Sequence, residues 1–351
     1  MEFGLFSNSR RPSRSLTEAW QLDIDEMVAV EDCGFDEVWV SEHESSADLI
    51  ICRAASVTSR IRLGSAVRVL PIYHPVQVAN DAAACDNLTN GRYMLGVGPG
   101  FSKERWMSRG VDPETTRERT VESLDLLLRI FTEREKFDFK GKYWSGSSVS
   151  AGMEFMQKPY PPMAMSVASA EESAQLAGRK GLRMLTPDFT HASKLKKLGD
   201  AFVEGQIAGG HAPDRSKFGV CRVIYVAESD KVARDDMRDS YEQVIRWEVK
   251  HTPWHQYDRI PEGGTLEDIT FDYLCDTRNL FIGSPATVLD HIETFFEEVG
   301  GFGTLIFHGG RDYATPEKLK QSMRLFADEV MPRVRHLAPA RVHDEPLVAA
   351  Q

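Results

Sequence analysis

A chain of 351 residues, 42% apolar and 27% charged, is long enough to bury one large core or two ordinary ones. Lys and Arg number 42 against 53 Asp and Glu, giving a formal charge of −11. That balance excludes a sequence-independent nucleic-acid binder, which needs clustered excess cation. No apolar run approaches the ~20 residues that cross a bilayer. The opening MEFGLFSNSRR puts apolar residues ahead of arginines, the reverse of a secretory signal. Cys33, Cys52, Cys85, Cys221 and Cys275 are scattered, odd in number and without a CxxC, so neither a zinc ribbon nor a disulfide framework is indicated. A soluble, cytoplasmic protein is expected, with no membrane and no nucleic-acid partner.

Short β-type runs alternate with helical stretches. A strand is predicted at 2–6, then a helix over 16–33 with Trp20, Ile24, Met27 and Val28 on one face and Gly34 ending it. Strands follow at 35–43 and 61–71, a helix at 76–89, and Asn90-Gly91 turns into a strand at 92–98. The helix 114–132 places Val121, Leu124, Leu127, Leu128 and Phe131 on one stripe. Residues 135–162, rich in Gly, Ser, Tyr and Pro, form a long excursion. Alternation resumes with strand 163–169, helix 171–180, strand 182–187, helix 190–209, strand 218–227 and helix 230–250. A second irregular stretch, 251–278, precedes helix 285–299, strand 303–308 and a closing helix 316–334.

This order gives eight strands, each followed by a helix. An eight-stranded α/β barrel and a doubly wound open sheet both accept it. The count, the length and the lack of a dinucleotide fingerprint favour a (β/α)8 TIM barrel with the two excursions at its C-terminal mouth. A single domain over 1–336 is expected, with 337–351 a loose tail. In such a barrel the chemistry sits at the C-terminal strand ends.

Three of those ends carry alternatives. Gly96-Val97-Gly98-Pro99-Gly100 reads either as a strand that must end sharply or as backbone brought close beneath a flat ligand. Ser169-Ala170-Glu171-Glu172-Ser173 reads as a helix cap or as an anion site at a helix start. His43, between Glu42 and Glu44, either holds a loop or moves a proton near neutral pH. Glu248, His251 and His255 have ligand-like spacing, but Pro253 keeps the histidines off one helix face, so no metal site is expected. Trp247, Trp254, Tyr257, Tyr143 and Trp144 anchor surface loops or wall an apolar pocket.

Taken together, SEH (41–43), LGSAVRVLPIYHPVQVANDAAACDNLTNGRYMLGVGPG (63–100), the helix with Arg117 and Arg119, SVASAEES (166–173), FIGSPATVLDHI (281–292) and MRLFADEVMPRV (323–334) resemble the bacterial luciferase family of flavin-dependent monooxygenases. The similarity spans residues 1–335, and the later part also resembles the diketocamphane monooxygenases, its Baeyer–Villiger branch. The resemblance implies an FMN-binding barrel with the flavin ring across the strand mouths. Ser41 and Glu42 would line the ring, a non-proline cis peptide would fall at Ala66-Val67, and Gly98 would lie beneath. The phosphate would rest on Arg119 and on Ser169, Ala170 and Ser173. His43, with Glu42 beside it, matches the catalytic position, where the histidine would hydrogen-bond a flavin C4a-peroxide or move a proton as it collapses. In the luciferase α subunit Cys-Arg stands where this chain has Gly98-Pro99, so one phosphate-binding arginine is missing and light emission does not carry over.

On this pattern the chain is the oxygenase half of a two-component system. A separate NAD(P)H:flavin reductase supplies FMNH2, O2 is the co-substrate, a small apolar or cyclic organic compound is hydroxylated or undergoes Baeyer–Villiger oxygenation, and a homodimer is expected. Two alternatives share the fold: a hydride-transferring oxidoreductase using deazaflavin F420, and a non-catalytic flavin-binding protein.

Overall fold

The computed structural model describes residues 1–11, 14–43, 46–133, 135–252 and 259–337. Glu44, Pro253, Trp254, His255, Tyr257 and the tail beyond residue 337 lie outside the described residues. The chain divides into two compact units, one of residues 4–167 and 309–311, the other of 1–3, 168–308 and 312 onward.

The first unit carries parallel strands β1 (Glu2–Ser7, from Gly4 on), β2 (Glu37–Val40), β3 (Arg62–Ser65), β4 (Arg68–Val69), β5 (Tyr93–Gly98) and, after an antiparallel hairpin of β6 (Phe137–Lys140) and β7 (Ser145–Val149), β8 (Met163–Ser166). β1 pairs β2 with Phe6 opposite Trp39, β2 pairs β3 with Trp39 opposite Gly64, and β5 pairs both β3 and β8. All four residues of β2 are buried, as in a parallel strand covered on both faces. The Trp39 ring is accommodated because residue 64 has no side chain: a Cβ there would stand 2.6 Å from the indole.

The intervening helices start and stop where the sequence provides caps. α1 (Leu16–Asp32) begins in a Ser15–Glu18 capping box and is followed by Gly34 at φ 80°. α2 (Ala47–Ala55) is capped by Ser46. α3 (Pro75–Leu88) has His74 as N-cap and Pro75 in its first turn, and gives way to Asn90 and Gly91, both at positive φ. α4 (Lys103–Met107) and α5 (Thr116–Thr132) follow β5.

The second unit holds β9 (Arg183–Thr186), β10 (Phe218–Arg222) and β13 (Thr304–Gly309), paired in parallel in that order, with β11 (Ile224–Val226) paired to β12 (Phe281–Gly283). Its helices are α6 (Glu171–Arg179), α7 (Ala192–Ala208), α8 (Asp230–His251), α9 (Phe271–Asp276) and α10 (Pro285–Val299). α10 ends on Gly300 in the left-handed region. An apolar cluster of Tyr225, Met237, Tyr241, Ile245, Phe271, Leu274 and Tyr313 seats α8 and α9.

The eight parallel strand–helix units are those of a (β/α)8 barrel. Several local expectations are corrected. The run 61–71 is two strands and a 3-10 turn, and 218–227 also divides. Residues 135–162 are not wholly irregular: Phe137–Lys140 and Ser145–Val149 form the β6–β7 hairpin. α9 occupies part of the second excursion, and the closing helix contains a π-helical turn at Phe326–Val330. Trp20 is 37% exposed, and the buried face of α1 is Ala19, Asp23, Ile24, Glu26, Met27 and Val30.

Candidate active site

The first unit brings Ser41, Glu42 and His43 together just past β2, beside Asn8, which follows β1 directly. The Asn8 carbonyl accepts a hydrogen bond from Ser41 Oγ at 2.5 Å and from His43 Nε2 at 2.8 Å, and Asn8 Oδ1 lies 3.1 Å from the same nitrogen. A carbonyl oxygen can only accept, so His43 carries its proton on Nε2 and presents a lone pair on Nδ1. Burial, reinforced by the charge of Arg10, lowers the His43 pKa to about 4, against the Asn8 carbonyl that favours the charged ring. The imidazole is therefore neutral at pH 7 and serves as an acceptor.

Glu42 is buried at the centre of an ion-pair cluster. Arg105, from α4, donates to its Oε1 and to its backbone carbonyl, each at 2.6 Å. Arg68 Nε stands 3.6 Å from its Oε2. The Arg68 guanidinium also reaches Asp48 at 2.8 Å and Asp81 at 3.0 Å, and lies over the Tyr73 ring. Burial pushes the Glu42 carboxyl up, outweighing the two guanidinium groups. Glu42 thus fixes the α4 arginine over the end of β2.

The peptide bond between Ala66 and Val67 is cis, where the resemblance implies one, and it separates β3 from β4. A Cβ on Gly98 would fall 2.4 Å from Ser166 Oγ and 3.0 Å from Val67 Cγ2. The bare backbone at 98 is demanded by the chain's own neighbours on β8 and at the cis bond. The cysteine of the luciferase pattern would need Ser166 to move.

Arg119 lies on α5, partly buried, its guanidinium 4.6 Å from the Tyr143 ring centre and 5.7 Å from that of Trp144. Its Nε donates to Thr115 Oγ1 at 3.3 Å, and no carboxylate pairs with it among the described residues. Trp144 is itself fixed by Nε1 donating to Ser123 Oγ and by an edge contact with His74. Glu122 accepts the backbone N–H groups of residues 142–144, so the hairpin connection is pinned to α5. A half-buried cation without an acidic partner among the described residues suits the donor set a phosphate requires.

The segment Ser169–Ser173 belongs to the second unit. Its helix, α6, takes Ala170 as N-cap, and no side chain caps the first turn. Capping by either serine is therefore not what this start uses.

The second unit also carries a buried polar cluster around Asp188 and His308, the last residue of the predicted strand 303–308. Asp188, two residues past β9, accepts from Arg259 at 3.2 Å and stands 3.2 Å from His308 Nδ1. Tyr313 Oη lies 3.1 Å from the same nitrogen, and Arg222, at the end of β10, donates to the backbone carbonyls of Asp188 and Thr190. Burial alone would raise Asp188, but His308, Arg259 and Arg222 hold it well below the usual carboxylate range. Neither Asp188, just past the predicted strand 182–187, nor Arg222, inside the predicted strand 218–227, carries a sequence signal of its own. Asn8, Arg68 and Arg105 were missed in the first unit, where only the direct succession of Asn8 to β1 was a signal.

A family model for luciferase-like monooxygenases matches residues 1–301. The chain is 32% identical to 4-hydroxyprotoasukamycin monooxygenase of Streptomyces nodosus subsp. asukaensis over 314 residues, covering 86% of this chain and 83% of that one. It is 24% identical over 359 residues, 95% of each chain, to the oxygenase component of the flavin-dependent trigonelline monooxygenase of Acinetobacter baylyi. Among solved structures, the oxygenating constituent of 3,6-diketocamphane monooxygenase from Pseudomonas putida, a Type II Baeyer–Villiger monooxygenase in complex with FMN, superposes with a TM-score of 0.83 at 27% identity, covering 97% of this chain and 99% of that one.

Proposed function

Because the chain belongs to the luciferase-like monooxygenase family and is a flavin-dependent monooxygenase, we propose that it is the FMNH2-using oxygenase of a two-component system, acting with O2 on a small apolar or cyclic organic substrate. The observation that carries this is Arg119, a half-buried guanidinium with no carboxylate partner among the described residues, on the helix that follows β5. A separate NAD(P)H:flavin reductase is the partner, a reading supported by the trigonelline relative's name as an oxygenase component. Homodimeric assembly and a cytoplasmic location complete the proposal. Among the described residues no helix is long and apolar enough to cross a membrane.

The flavin, when bound, supplies the reaction with dioxygen. The chain supplies position and proton control. Arg119 holds the phosphate. Ser41, Ala66, Val67 and Gly98 line the ring. His43 accepts a hydrogen bond at Nδ1, and Asn8 fixes the tautomer that leaves this nitrogen available. Glu42 keeps Arg105 against the end of β2 and so acts as a positioning residue.

Anaerobic titration with FMNH2, an oxygen pulse and mass spectrometry against ketones and heterocycles tests the reaction. Incorporation of one oxygen atom into a ketone to give a lactone supports Baeyer–Villiger chemistry, and ring hydroxylation supports the other outcome. Oxidation of reduced F420 without oxygen use would overturn both. The phosphate assignment has its own test. Arg119→Ala is expected to raise the Kd for FMN about 30-fold, in line with the loss of a charge-assisted contact, while riboflavin binding changes less than about twofold. Equal losses for the two flavins would place the phosphate elsewhere.

A further inference from the structure

Cys52 and Cys85 lie on α2 and α3 with their Sγ atoms 3.8 Å apart. Both are free thiols. Each stands one helical turn after a carboxylate of the Arg68 cluster: Asp48 precedes Cys52 by four residues, and Asp81 precedes Cys85 by four. Side chains four apart share a helix face, so the two helices are joined by Arg68 at one level and face each other through two thiols at the next. The thiols also differ in access, Cys52 being partly exposed and Cys85 only 4% exposed.

We propose that Cys52 and Cys85 form a peroxide-sensitive modification site, closing to a disulfide that ties α2 to α3 beside the Arg68 cluster. The step needs hydrogen peroxide, a two-electron oxidant. The Cys52 thiolate attacks one peroxide oxygen, the O–O bond breaks, and a sulfenic acid forms on Cys52 as hydroxide leaves and is protonated to water. The Cys85 sulfur, losing its proton, then attacks Cys52 Sγ; the S–O bond breaks and a second water departs. Two thiols and one peroxide yield one disulfide and two waters. The hydrogen bond from Cys85 lowers the Cys52 pKa, and the same pairing together with burial raises that of Cys85, which agrees with Cys52 as the attacking group.

The reduced full-length protein, exposed to excess hydrogen peroxide, is expected to lose two hydrogen atoms in mass and to give one cross-linked peptide pair containing Cys52 and Cys85. Its melting temperature is expected to rise by about 5 °C, because the bond restricts the unfolded chain between the two positions. In Cys85→Ser the resolving thiol is gone, so dimedone should trap a sulfenic acid on Cys52. Cys52→Ser should give neither product. A protein that keeps its mass under peroxide, a cross-link through Cys33, Cys221 or Cys275, or an unchanged melting temperature in the cross-linked form would overturn the proposal. The mass and peptide readouts need no variant, so a variant that failed to fold would not spare it.

Discussion

Replacing His43 with alanine should lower product formed per flavin oxidised by about 100-fold, with hydrogen peroxide released in its place, while FMN affinity changes by less than about threefold. The separation of the two effects follows from where the ring is held. Its Nε2 proton is committed to the Asn8 carbonyl, and the phosphate is assigned to Arg119 on a different element. Removing the imidazole therefore deletes an acceptor at Nδ1 without deleting a flavin-binding charge. The same geometry sets the pH dependence. Protonation of the folded ring lies at about 4, so the acid limb of kcat/KM attributable to His43 should fall near pH 4 to 5. The unfolded ring binds its proton near 6.5, so between these values the unfolded chain takes up more protons. Stability from this group is complete above about pH 6.5 and is lost as the pH falls toward 4, and His43→Ala should flatten that slope. An acid limb at 6.5, or a variant with unchanged coupling, would remove His43 from the chemistry.

The strand ends were legible because parallel strands covered on both faces read as short apolar runs, and VWV at 38–40 is such a run. The face of α1 was not. Hydropathy picks Trp20, yet the helix buries Asp23 and Glu26, because Arg11, outside the helix, neutralises both at 3.0 and 2.5 Å. A charge buried with a distant partner has no periodic signature. The same holds at the site. His43 and Gly98 are visible at strand ends, whereas the residue that sets the His43 tautomer, Asn8, is 35 positions away. Glu42 looks like a free strand-end carboxylate until Arg105, 63 positions on, is found clipped to its side chain and backbone. Arg119 is identified through family resemblance alone, because that no carboxylate among the described residues pairs with it is visible only in three dimensions. The hairpin at 137–149 was hidden because SGSSV carries almost no apolar pattern and pairs mainly through its backbone.

Arg68→Leu should cost about 3 to 5 kcal/mol of stability, the range for stripping a buried ion cluster of its cation. Arg68 is only 2% exposed and faces Glu42, Asp48 and Asp81, while Asp48 also accepts from the Tyr93 hydroxyl at 2.7 Å. Leucine fills part of the volume but leaves at least two buried carboxylates with less positive charge than they need. Lysine keeps the charge on a single nitrogen, which cannot span three carboxylates as the guanidinium fork does, so Arg68→Lys should recover only part of the loss. The deficit should also depend on pH in a defined direction. Burial already raises the Asp48 and Glu42 carboxyls, and removing Arg68 raises them further. A carboxyl whose folded pKa lies above its unfolded one destabilises increasingly as the pH rises through that interval. The gap between wild type and Arg68→Leu, measured by denaturant unfolding, should therefore narrow as the pH falls from 8 toward about 5. Adding Asp48→Asn to the leucine variant should restore part of the stability at pH 8 and reduce that dependence, because one of the stranded charges is gone. A loss below about 1 kcal/mol, or a gap independent of pH, would mean that water replaces the guanidinium and that the Arg68 cluster does not hold α2 and α3 in place.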